Sequence, residues 1–246
     1  MIDFQNVSFS YGEESSGGGI RNVNLTINTG EFVLLTGESG CGKTTITRLV
    51  NGLVPHYYEG NLEGDVLLDG KSVSDTPLYD LAAMVGSVFQ NPKSQFFNVD
   101  TDSELAFACE NLGYPQEDIL KRIDRTVSDY HIEDLMGRSV FALSGGEKQK
   151  IACASSSVLL PGIMVLDEPS SNLDMAAIDD LRQVLSLWKK QGKTILIAEH
   201  RLYYLHDLAD RVLYVKDGEI EREYTPAEFD SLSDSTRKEI GLRPFS

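Results

Sequence analysis

A glycine-rich segment that ends in lysine and threonine carries the clearest chemical signal in this sequence. Residues 37–44 read Gly-Glu-Ser-Gly-Cys-Gly-Lys-Thr and fit the pattern G-x-x-x-x-G-K-[ST], between a predicted strand and a predicted helix. The glycines let several backbone N–H groups point into one concavity, and the helix N-terminus adds about +0.5 of a charge. In such a loop Lys43 reaches the β- and γ-phosphates, and the Thr44 hydroxyl coordinates Mg²⁺. The segment therefore predicts a site for the phosphates of a nucleotide.

Two carboxylates end a second apolar strand, because Asp167 and Glu168 follow residues 163–166. The carboxyl ends of strands carry ligand chemistry in open α/β sheets, and we expect this strand to lie beside the one that leads into the phosphate loop. Asp167 would hold Mg²⁺, and Glu168 would orient or deprotonate the attacking water. Neighbouring strand side chains point to opposite faces, so these two roles require a turn, which Pro169 is expected to supply. Taken alone, Asp-Glu-Pro is typical of a polar strand end; the phosphate loop favours the chemical interpretation.

A third segment, Leu-Ser-Gly-Gly-Glu at residues 143–147, precedes a predicted helix. A capping box explains Ser144 and Glu147, since the two side chains satisfy backbone N–H groups at the helix start. It does not explain Gly145 and Gly146, each of which lowers helix propensity by about 1 kcal/mol relative to alanine. The glycines indicate a close approach of the backbone to a ligand, and a γ-phosphate at this helix N-terminus would account for them.

Short apolar runs interleaved with helical patterns predict an α/β fold with a largely parallel, buried sheet. The predicted strands are residues 2–9, 32–36, 85–89, 163–166, 194–198, 212–215 and 219–224, the first as an edge or half-buried strand. The predicted helices are residues 43–51, 103–112, 116–130, 146–159 and 176–190. We interpret residues 1–246 as one domain with an α/β core at residues 1–91 and 159–224, an inserted helical subdomain at residues 92–158 and a short helical tail at residues 225–246.

Two short segments have local signals of their own. The tail begins with Thr-Pro-Ala-Glu at residues 225–228, which has the layout of a capping box with proline at the first helical position. Residues 13–19 are rich in serine and glycine and predict a flexible surface loop without chemistry.

Composition excludes several classes of function. The 246 residues are 41% apolar and carry a formal charge of −16, the wrong sign for gathering nucleic acid by bulk electrostatics. No apolar run approaches the roughly 18 to 20 residues that cross a bilayer, so a soluble chain is expected. The first residues lack a basic and an apolar region, which predicts no secretory signal. The odd count of three cysteines fits a reducing cytosol. Cys41 is either a small side chain that fits its loop, which we favour, or a thiol open to alkylation and oxidation when nucleotide is absent.

Together these segments resemble the ATP-binding subunit of ABC transporters, in an order and spacing that cover nearly the whole chain. Tyr11 resembles the aromatic residue that stacks on adenine, and Gln90 resembles the glutamine that contacts Mg²⁺ and faces the membrane partner. Asp167 and Glu168 look like the Walker B pair, and His200 looks like the switch histidine that senses the γ-phosphate. The resemblance assigns ATP binding to the Walker A residues Gly37, Glu38, Ser39, Gly40, Cys41, Gly42, Lys43, Thr44 and Thr45.

The resemblance implies a P-loop NTPase core with an inserted helical subdomain and an N-terminal β subdomain. It implies ATP and Mg²⁺ as ligands and a head-to-tail dimer, in which each ATP also meets the signature and D-loop of the other subunit. The residues acting in trans would be Ser144, Gly145, Gly146 and Asp174. The catalytic set would be Glu168, His200, Gln90 and Lys43, and the metal would be held by Thr44, Gln90 and Asp167. One departure is Glu147, where the family more often has glutamine; another is the long loop at residues 13–19.

Within the family, residues 89–97 are similar to ATPases of energy-coupling-factor importers, which take up vitamins and transition-metal ions. This implies a transmembrane coupling subunit, a second ATPase domain that is identical, different or fused, and a place on the cytoplasmic face of the membrane. Phe96 and Phe97 are either core of the helical subdomain or part of a groove for the membrane subunit. The alternatives are a conventional ABC importer or exporter and, more remotely, an ATPase of DNA maintenance or translation. Only 99 residues separate Thr44 from Ser144, too few for the long coiled coil of DNA-maintenance ATPases.

Overall fold

The computed structural model describes residues 1–12, 19–233 and 236. The strands in these residues are β1 (Ile2–Tyr11), β2 (Ile20–Ile27), β3 (Phe32–Thr36), β4 (Gly60–Leu68), β5 (Lys71–Ser72), β6 (Val85–Val88), β7 (Ile163–Asp167), β8 (Thr194–Ala198), β9 (Arg211–Lys216) and β10 (Glu219–Tyr224). The helices are α1 (Lys43–Val50), α2 (Leu53–His56), α3 (Leu78–Met84), α4 (Thr101–Asn111), α5 (Gln116–Tyr130), α6 (Gly145–Ser157), α7 (Met175–Lys190) and α8 (Pro226–Asp230).

The larger sheet has six strands in the order β10-β9-β3-β8-β7-β6. All neighbours are parallel except β10, which forms an antiparallel hairpin with β9. Alternate residues of β3 face two different cores: Phe32 and Leu34 pack in one, and Val33 and Leu35 pack in the other. Burial on both faces explains why these strands are continuous apolar runs. The α/β prediction is confirmed.

The expectation that β7 lies beside β3 is wrong, because β8 lies between them and pairs with both. The five residues of β8 are all buried. A strand of this kind buries most apolar surface at the centre of the sheet, where both its faces and both its edges are covered. Since β3, β8 and β7 are parallel, their carboxyl ends still meet at one edge of the sheet.

The smaller sheet is antiparallel, with the order β2-β1-β4-β5. β1 pairs with β2 on one side and β4 on the other, so the expectation of an edge position is wrong. Its burial does alternate along much of the strand, as expected of a half-buried one. Phe4 and Phe9 on its buried face pack in the same core as Leu35 of β3 and Ile46 of α1. The sheet therefore covers α1 and one face of the six-stranded sheet.

The segment expected to be helical, residues 92–158, contains α4, α5 and α6 and three short 3₁₀ turns. Among its described residues the only β pairing is one isolated bridge, between Asp100 and Ser139. α6 packs against α7, whose Trp188 is fully buried. No described helix combines the length and the apolar character that crossing a membrane requires.

The predicted capping box at the C-terminal helix is present. The Thr225 hydroxyl accepts a hydrogen bond from the N–H of Glu228 at 3.3 Å, and the Glu228 carboxylate accepts from the N–H of Thr225 at 2.8 Å. Pro226 is the first residue of α8. The rest of the predicted tail beyond Ser233, apart from Thr236, and most of the predicted loop at residues 13–19 lie outside the described residues.

A buried polar contact ties the helices together and gives a test of this packing. Tyr130 donates a hydrogen bond to Ser157 and accepts one from the Trp188 indole. Replacing Tyr130 by phenylalanine leaves the buried Trp188 N–H without its acceptor and the Ser157 hydroxyl without its donor. We expect the free energy of unfolding to fall by about 1–3 kcal/mol. Chemical denaturation measures this value. The control is Tyr79→Phe, since the Tyr79 residue is 64% exposed; equal stability of the two variants would contradict the packing role.

Candidate active site

The glycine-rich loop connects β3 to α1 and runs close to β9. A Cβ added at Gly37 would lie 2.1 Å from the carbonyl oxygen of Val215, so only glycine allows this close approach. The Lys43 ammonium donates to the carbonyl oxygens of Gly37 at 2.9 Å and Glu38 at 2.8 Å. The Lys43 residue is only 3% exposed. The loop thus holds the lysine folded back against its own backbone.

A hydroxyl and a carboxylate meet between the loop and β7. The Thr44 hydroxyl donates to the Asp167 carboxylate at 3.2 Å. Burial raises the pKa of Asp167, although the bond from Thr44 opposes this effect. A neighbouring cation would favour the charged form of such a carboxylate, and hydroxyl and carboxylate oxygens are the hard donors that Mg²⁺ prefers. These two residues therefore fit the predicted metal site.

The Glu168 carboxylate lies between two other predicted site residues. Its Oε1 is 2.9 Å from His200 Nε2, and its Oε2 accepts from the Gln90 side-chain amide at 3.2 Å. The hydrogen bond with His200 lowers the pKa of Glu168, so the carboxylate is ionised at neutral pH. Because an ionised carboxylate only accepts hydrogen bonds, His200 carries its proton on Nε2.

The turn that separates the two carboxylates lies at Glu168 itself. It was expected at Pro169 from the sequence, and that expectation is wrong. Glu168 has a left-handed φ of +45°, a conformation that is uncommon for a residue with a side chain. Its N–H donates to the carbonyl oxygen of Ala198 in β8 at 2.8 Å. This bond holds the turn, which allows Asp167 to contact Thr44 while Glu168 contacts His200. Backbone strain of this kind is concentrated at functional sites.

A cavity of about 270 Å³ lies against the loop and Glu168, whereas Gln90 and Asp167 line a neighbouring cavity. The lining of the first cavity includes most of the predicted loop residues as well as Tyr11 and Glu168; the full set is Tyr11, Ser39, Gly40, Gly42, Lys43, Thr44, Thr45, Arg48, Tyr58 and Glu168. Cys41 is buried beneath the loop, with its sulfur 3.8 Å from Lys43 Nζ. Burial raises the pKa of this thiol, which agrees with the interpretation of Cys41 as a packing residue.

Arg48 and Tyr58 also line the cavity, although neither was predicted as a site residue. The Arg48 guanidinium lies 4.0 Å from the centre of the Tyr58 ring and donates to the Tyr11 hydroxyl at 3.0 Å. That hydroxyl is also 3.2 Å from the Thr45 hydroxyl. Arg48 follows Thr44 by four residues, so helical spacing puts both on one face of α1 and would have indicated its position.

The Ser-Gly-Gly segment forms the start of α6. Both hydrogen bonds of the expected capping box are present: Glu147 N–H to the Ser144 hydroxyl at 3.2 Å, and Ser144 N–H to the Glu147 carboxylate at 2.7 Å. Glu147 also forms an ion pair with Arg138 at 2.9 Å. The bonds from Ser144, followed by that from Arg138, lower the pKa of Glu147. The glutamate that departs from the family pattern therefore caps the helix and gains a charged partner.

The two glycines of this segment have different reasons to be glycine. A Cβ added at Gly146 would lie 2.7 Å from the Ala177 Cβ, so its small size is required by packing of α6 on α7. A Cβ added at Gly145 would have its nearest neighbour at 4.0 Å, the carbonyl oxygen of Asn172. The sequence-based interpretation, a close approach to a ligand, is therefore needed only for Gly145.

The residues expected to act in trans lie together but away from the loop. Asp174 begins α7 and accepts from the N–H of Ala177 at 2.9 Å, beside the contact of Ala177 with Gly146. The described residues that line the 270 Å³ cavity do not include Ser144, Gly145, Gly146 or Asp174. Within one chain, the structure does not bring the two halves of the predicted site together.

Comparison with known proteins agrees with these motifs. A family model described as ABC transporter matches residues 20–171. A relative from Treponema denticola, named as an ABC transporter ATP-binding protein, is 47% identical over 99% of this chain and 50% of its own length. A similarly named protein from Pyrococcus abyssi is 39% identical over 99% of this chain and 86% of its own length. The chain spans half or less of the length of several of the relatives that it matches.

Solved structures show the same fold. CbiO1 from Clostridium perfringens, described as part of the ABC transporter complex cbiONQ, has a TM-score of 0.82 and 27% identity, over 96% of this chain and 93% of its own. The ATP-binding cassette MJ0796 was solved as a dimer in a post-hydrolysis state with ADP and phosphate. It has a TM-score of 0.77 and 26% identity, over 92% of this chain and 99% of its own. The chain therefore belongs to the ABC transporter family, and it is an ATP-binding ABC ATPase domain.

Proposed function

We propose that this domain hydrolyses ATP to drive transport of a small solute across a membrane, with Glu168 as the base. The observation that carries the proposal is the Glu168 carboxylate, which lines the phosphate-loop cavity and is held by His200 and Gln90. Its lowered pKa keeps it ionised and able to accept a proton.

The proposed reaction is an in-line attack of water on the γ-phosphorus. Glu168 takes one proton from the water as the new P–O bond forms, and the bond from the γ-phosphorus to the β–γ bridging oxygen breaks to leave ADP and phosphate. Lys43 and the loop N–H groups face the charge that develops on the phosphate oxygens. His200, through its Nε2 proton, holds the carboxylate in position and senses the γ-phosphate.

The residues present fit Mg²⁺ as the cofactor. Thr44 and Asp167 would hold the ion, with Gln90 nearby as a further oxygen ligand. When bound, Mg²⁺ would neutralise charge on the β- and γ-phosphates.

A second ATPase domain would complete each site. Ser144, Gly145 and Gly146 lie away from the cavity of their own chain, and Gly145 has open space beside it. A helix N-terminus with free space is suited to an anion, here the γ-phosphate bound by the other domain. MJ0796 was solved as a dimer with ADP and phosphate, which supports a second domain at each site. The second domain is an identical chain, a different chain, or a fused domain; the long relatives favour fusion.

An apolar groove would receive a transmembrane coupling subunit. The groove has a volume of about 380 Å³, and its lining includes Leu78, Tyr79, Phe97, Phe107 and Leu112. Phe97 is 75% exposed and stacks on Phe107 with ring centres 4.8 Å apart, while Phe96 packs against the core. The packing of Phe96 supports the core alternative for that residue, and the exposure of Phe97 supports the groove alternative.

Gln90 donates to Glu168 and lines a neighbouring cavity that shares Phe89 and Phe97 with the groove. Movement of a bound membrane subunit would reach the catalytic carboxylate along this route. Such a partner would hold the domain on the cytoplasmic face of the membrane. The likeness to CbiO1 supports an importer of the energy-coupling-factor type with a vitamin or metal ion as its solute. A conventional ABC importer or exporter is the second candidate.

Replacing Glu168 by glutamine tests the base. We expect the ATPase kcat to fall by about 10²- to 10⁴-fold, since the amide cannot accept the proton, while ATP binding is retained. Steady-state hydrolysis and equilibrium binding of a labelled nucleotide measure the two quantities. The control is Glu133→Gln, the same change at an exposed glutamate in the turn Glu133–Leu135. Near-normal hydrolysis by Glu168→Gln would refute the assignment.

Replacing the two glycines one at a time tests the action in trans. Gly146→Ala should lower the free energy of unfolding by about 1–3 kcal/mol, because the new methyl group overpacks against Ala177. Gly145→Ala should leave stability nearly unchanged but weaken ATP-dependent dimerisation, measured by light scattering in the Glu168→Gln background. If Gly145→Ala dimerises with ATP as well as its parent, Gly145 does not face the partner's nucleotide.

Replacing Phe97 by aspartate tests the groove. Co-purification of the membrane subunit from detergent extracts should be lost, while nucleotide binding stays unchanged, because a charge in the groove must be desolvated on docking. The matched control is Phe141→Asp, since the Phe141 residue is 77% exposed and lies outside the groove. Loss of the membrane subunit from both variants, or from neither, would contradict the assignment of this surface.

A further inference from the structure

A buried glutamate lies between two loops of the active site and has no role in the mechanism described above. Glu199 follows β8 directly, and the residue is 2% exposed. Its N–H donates to the carbonyl oxygen of Leu35 in β3 at 3.0 Å, so its backbone is fixed in the central sheet. Burying a carboxylate is costly unless hydrogen bonds satisfy it. The groups that satisfy Glu199 therefore indicate what it does.

Each carboxylate oxygen of Glu199 accepts two hydrogen bonds. Oε1 accepts from the N–H groups of His200 at 2.7 Å and Arg201 at 3.0 Å. Oε2 accepts from the Tyr204 hydroxyl at 2.8 Å and from the N–H of Ser170 at 3.3 Å. A carboxylate has about four acceptor positions, so these four donors use its capacity. A single side chain thus joins the loop that begins at His200 to the loop that follows Glu168.

These two loops carry the pair of side chains on which hydrolysis depends in the proposed function. His200 Nε2 is 2.9 Å from Glu168 Oε1, and Ser170 follows Glu168 by only two residues. The Arg201 guanidinium adds a second connection between the loops through the carbonyl oxygen of Leu173 at 3.1 Å. The contact between histidine and glutamate therefore depends on how the two loop backbones are held together.

Tyr204 is well suited as a permanent donor to this carboxylate. Burial and the charge of Glu199 raise the pKa of Tyr204 well above its ordinary value, so the hydroxyl keeps its proton. A glutamate that only stabilised the fold could bond to any nearby donors. Glu199 instead bonds to the backbone of His200 itself and to the backbone next to the turn at Glu168.

We propose that Glu199 is a positioning residue for ATP hydrolysis, whose carboxylate fixes the His200 loop against the Glu168 loop and so sets the contact between the two catalytic side chains. This inference rests on the proposed function, in which His200 and Glu168 act at the γ-phosphate. Glu199 itself touches neither nucleotide nor water in this account; it acts through His200.

The test is a double-mutant cycle in the assembled transporter ATPase. Glu199→Ala should lower the ATPase kcat by about 10²-fold, the loss typical of a small displacement of catalytic groups. The KM for ATP should stay within about twofold, because binding to the phosphate loop does not involve Glu199. In the His200→Ala background, the same substitution should change the single-turnover rate by less than about twofold, since it has no histidine left to position.

A conservative variant provides the rescue. Glu199→Gln keeps one oxygen for the N–H groups of His200 and Arg201, and its amide can donate to the Tyr204 hydroxyl. The N–H of Ser170 and the proton of the Tyr204 hydroxyl then lose their acceptor, and the kcat should lie between those of the parent and the alanine variant. If Glu199→Ala does not fold, Tyr204→Phe takes its place in the cycle, with a smaller loss of kcat and the same dependence on His200.

Lys193→Gln is the matched control. Lys193 is a buried charged residue just before the other end of β8, where its ammonium donates to the carbonyl oxygen of Pro161 at 2.6 Å. Thermal unfolding should show a loss of stability for this variant, with its kcat within about twofold of the parent.

The inference is overturned if Glu199→Ala lowers the rate by the same factor with and without His200, or if it changes only the unfolding temperature. If His200→Ala alone retains the parent kcat, the proposed role of His200 fails and this inference fails with it. In the remaining case His200→Ala lowers the kcat, and adding Glu199→Ala lowers it further by the same factor as in the parent. The role of His200 then stands, and only the inference about Glu199 is overturned.

Discussion

The meeting of three parallel strand ends at one edge of the sheet is the constraint on which the site depends. β3 leads into the phosphate loop, β7 ends in Asp167, and β8 is followed by Glu199 and His200. Each strand is short and buried on both faces, so its register is fixed by the two cores that it separates. The 2.9 Å contact between Glu168 and His200 is possible because the turn at Glu168 is hydrogen bonded to the end of β8.

Local electrostatics override the overall charge at this edge. A formal charge of −16 would repel a nucleotide if it acted as a whole, but exposed charges are screened beyond about 8 Å at physiological salt. In the proposed function the phosphates meet the buried Lys43 ammonium and the N–H groups of the loop, which act over a few ångströms. The net charge therefore argues against bulk binding of nucleic acid, but it does not argue against binding of a single nucleotide.

Motifs and periodicity predicted the α/β fold, the strand that precedes the phosphate loop and the capping boxes at Ser144 and Thr225, because each depends on residues close in sequence. Strand order could not be predicted in the same way: β8 lies between β3 and β7 although it follows both along the chain. Packing between distant elements also escaped prediction, as with the contact of Gly146 with Ala177.

Side-chain surroundings escaped prediction for the same reason. Arg48 and Tyr58 line the cavity because α1 packs against the chain that follows α2. Glu199 follows an apolar strand, and nothing in that strand's sequence indicates the four hydrogen-bond donors that surround its carboxylate. A motif identifies the residues that touch a ligand. The residues that hold them in place become visible only in three dimensions.

The central claim is that each ATP is hydrolysed between the phosphate loop of one domain and the Ser-Gly-Gly segment of another. Its most direct test is single-turnover hydrolysis by a mixed dimer, isolated with two affinity tags, in which one copy carries Glu168→Gln and the other carries Gly145→Arg. One site then holds both defects and the other holds none. The account predicts hydrolysis by the mixed dimer and none by dimers with either substitution in both copies; a mixed dimer as inactive as these would contradict it.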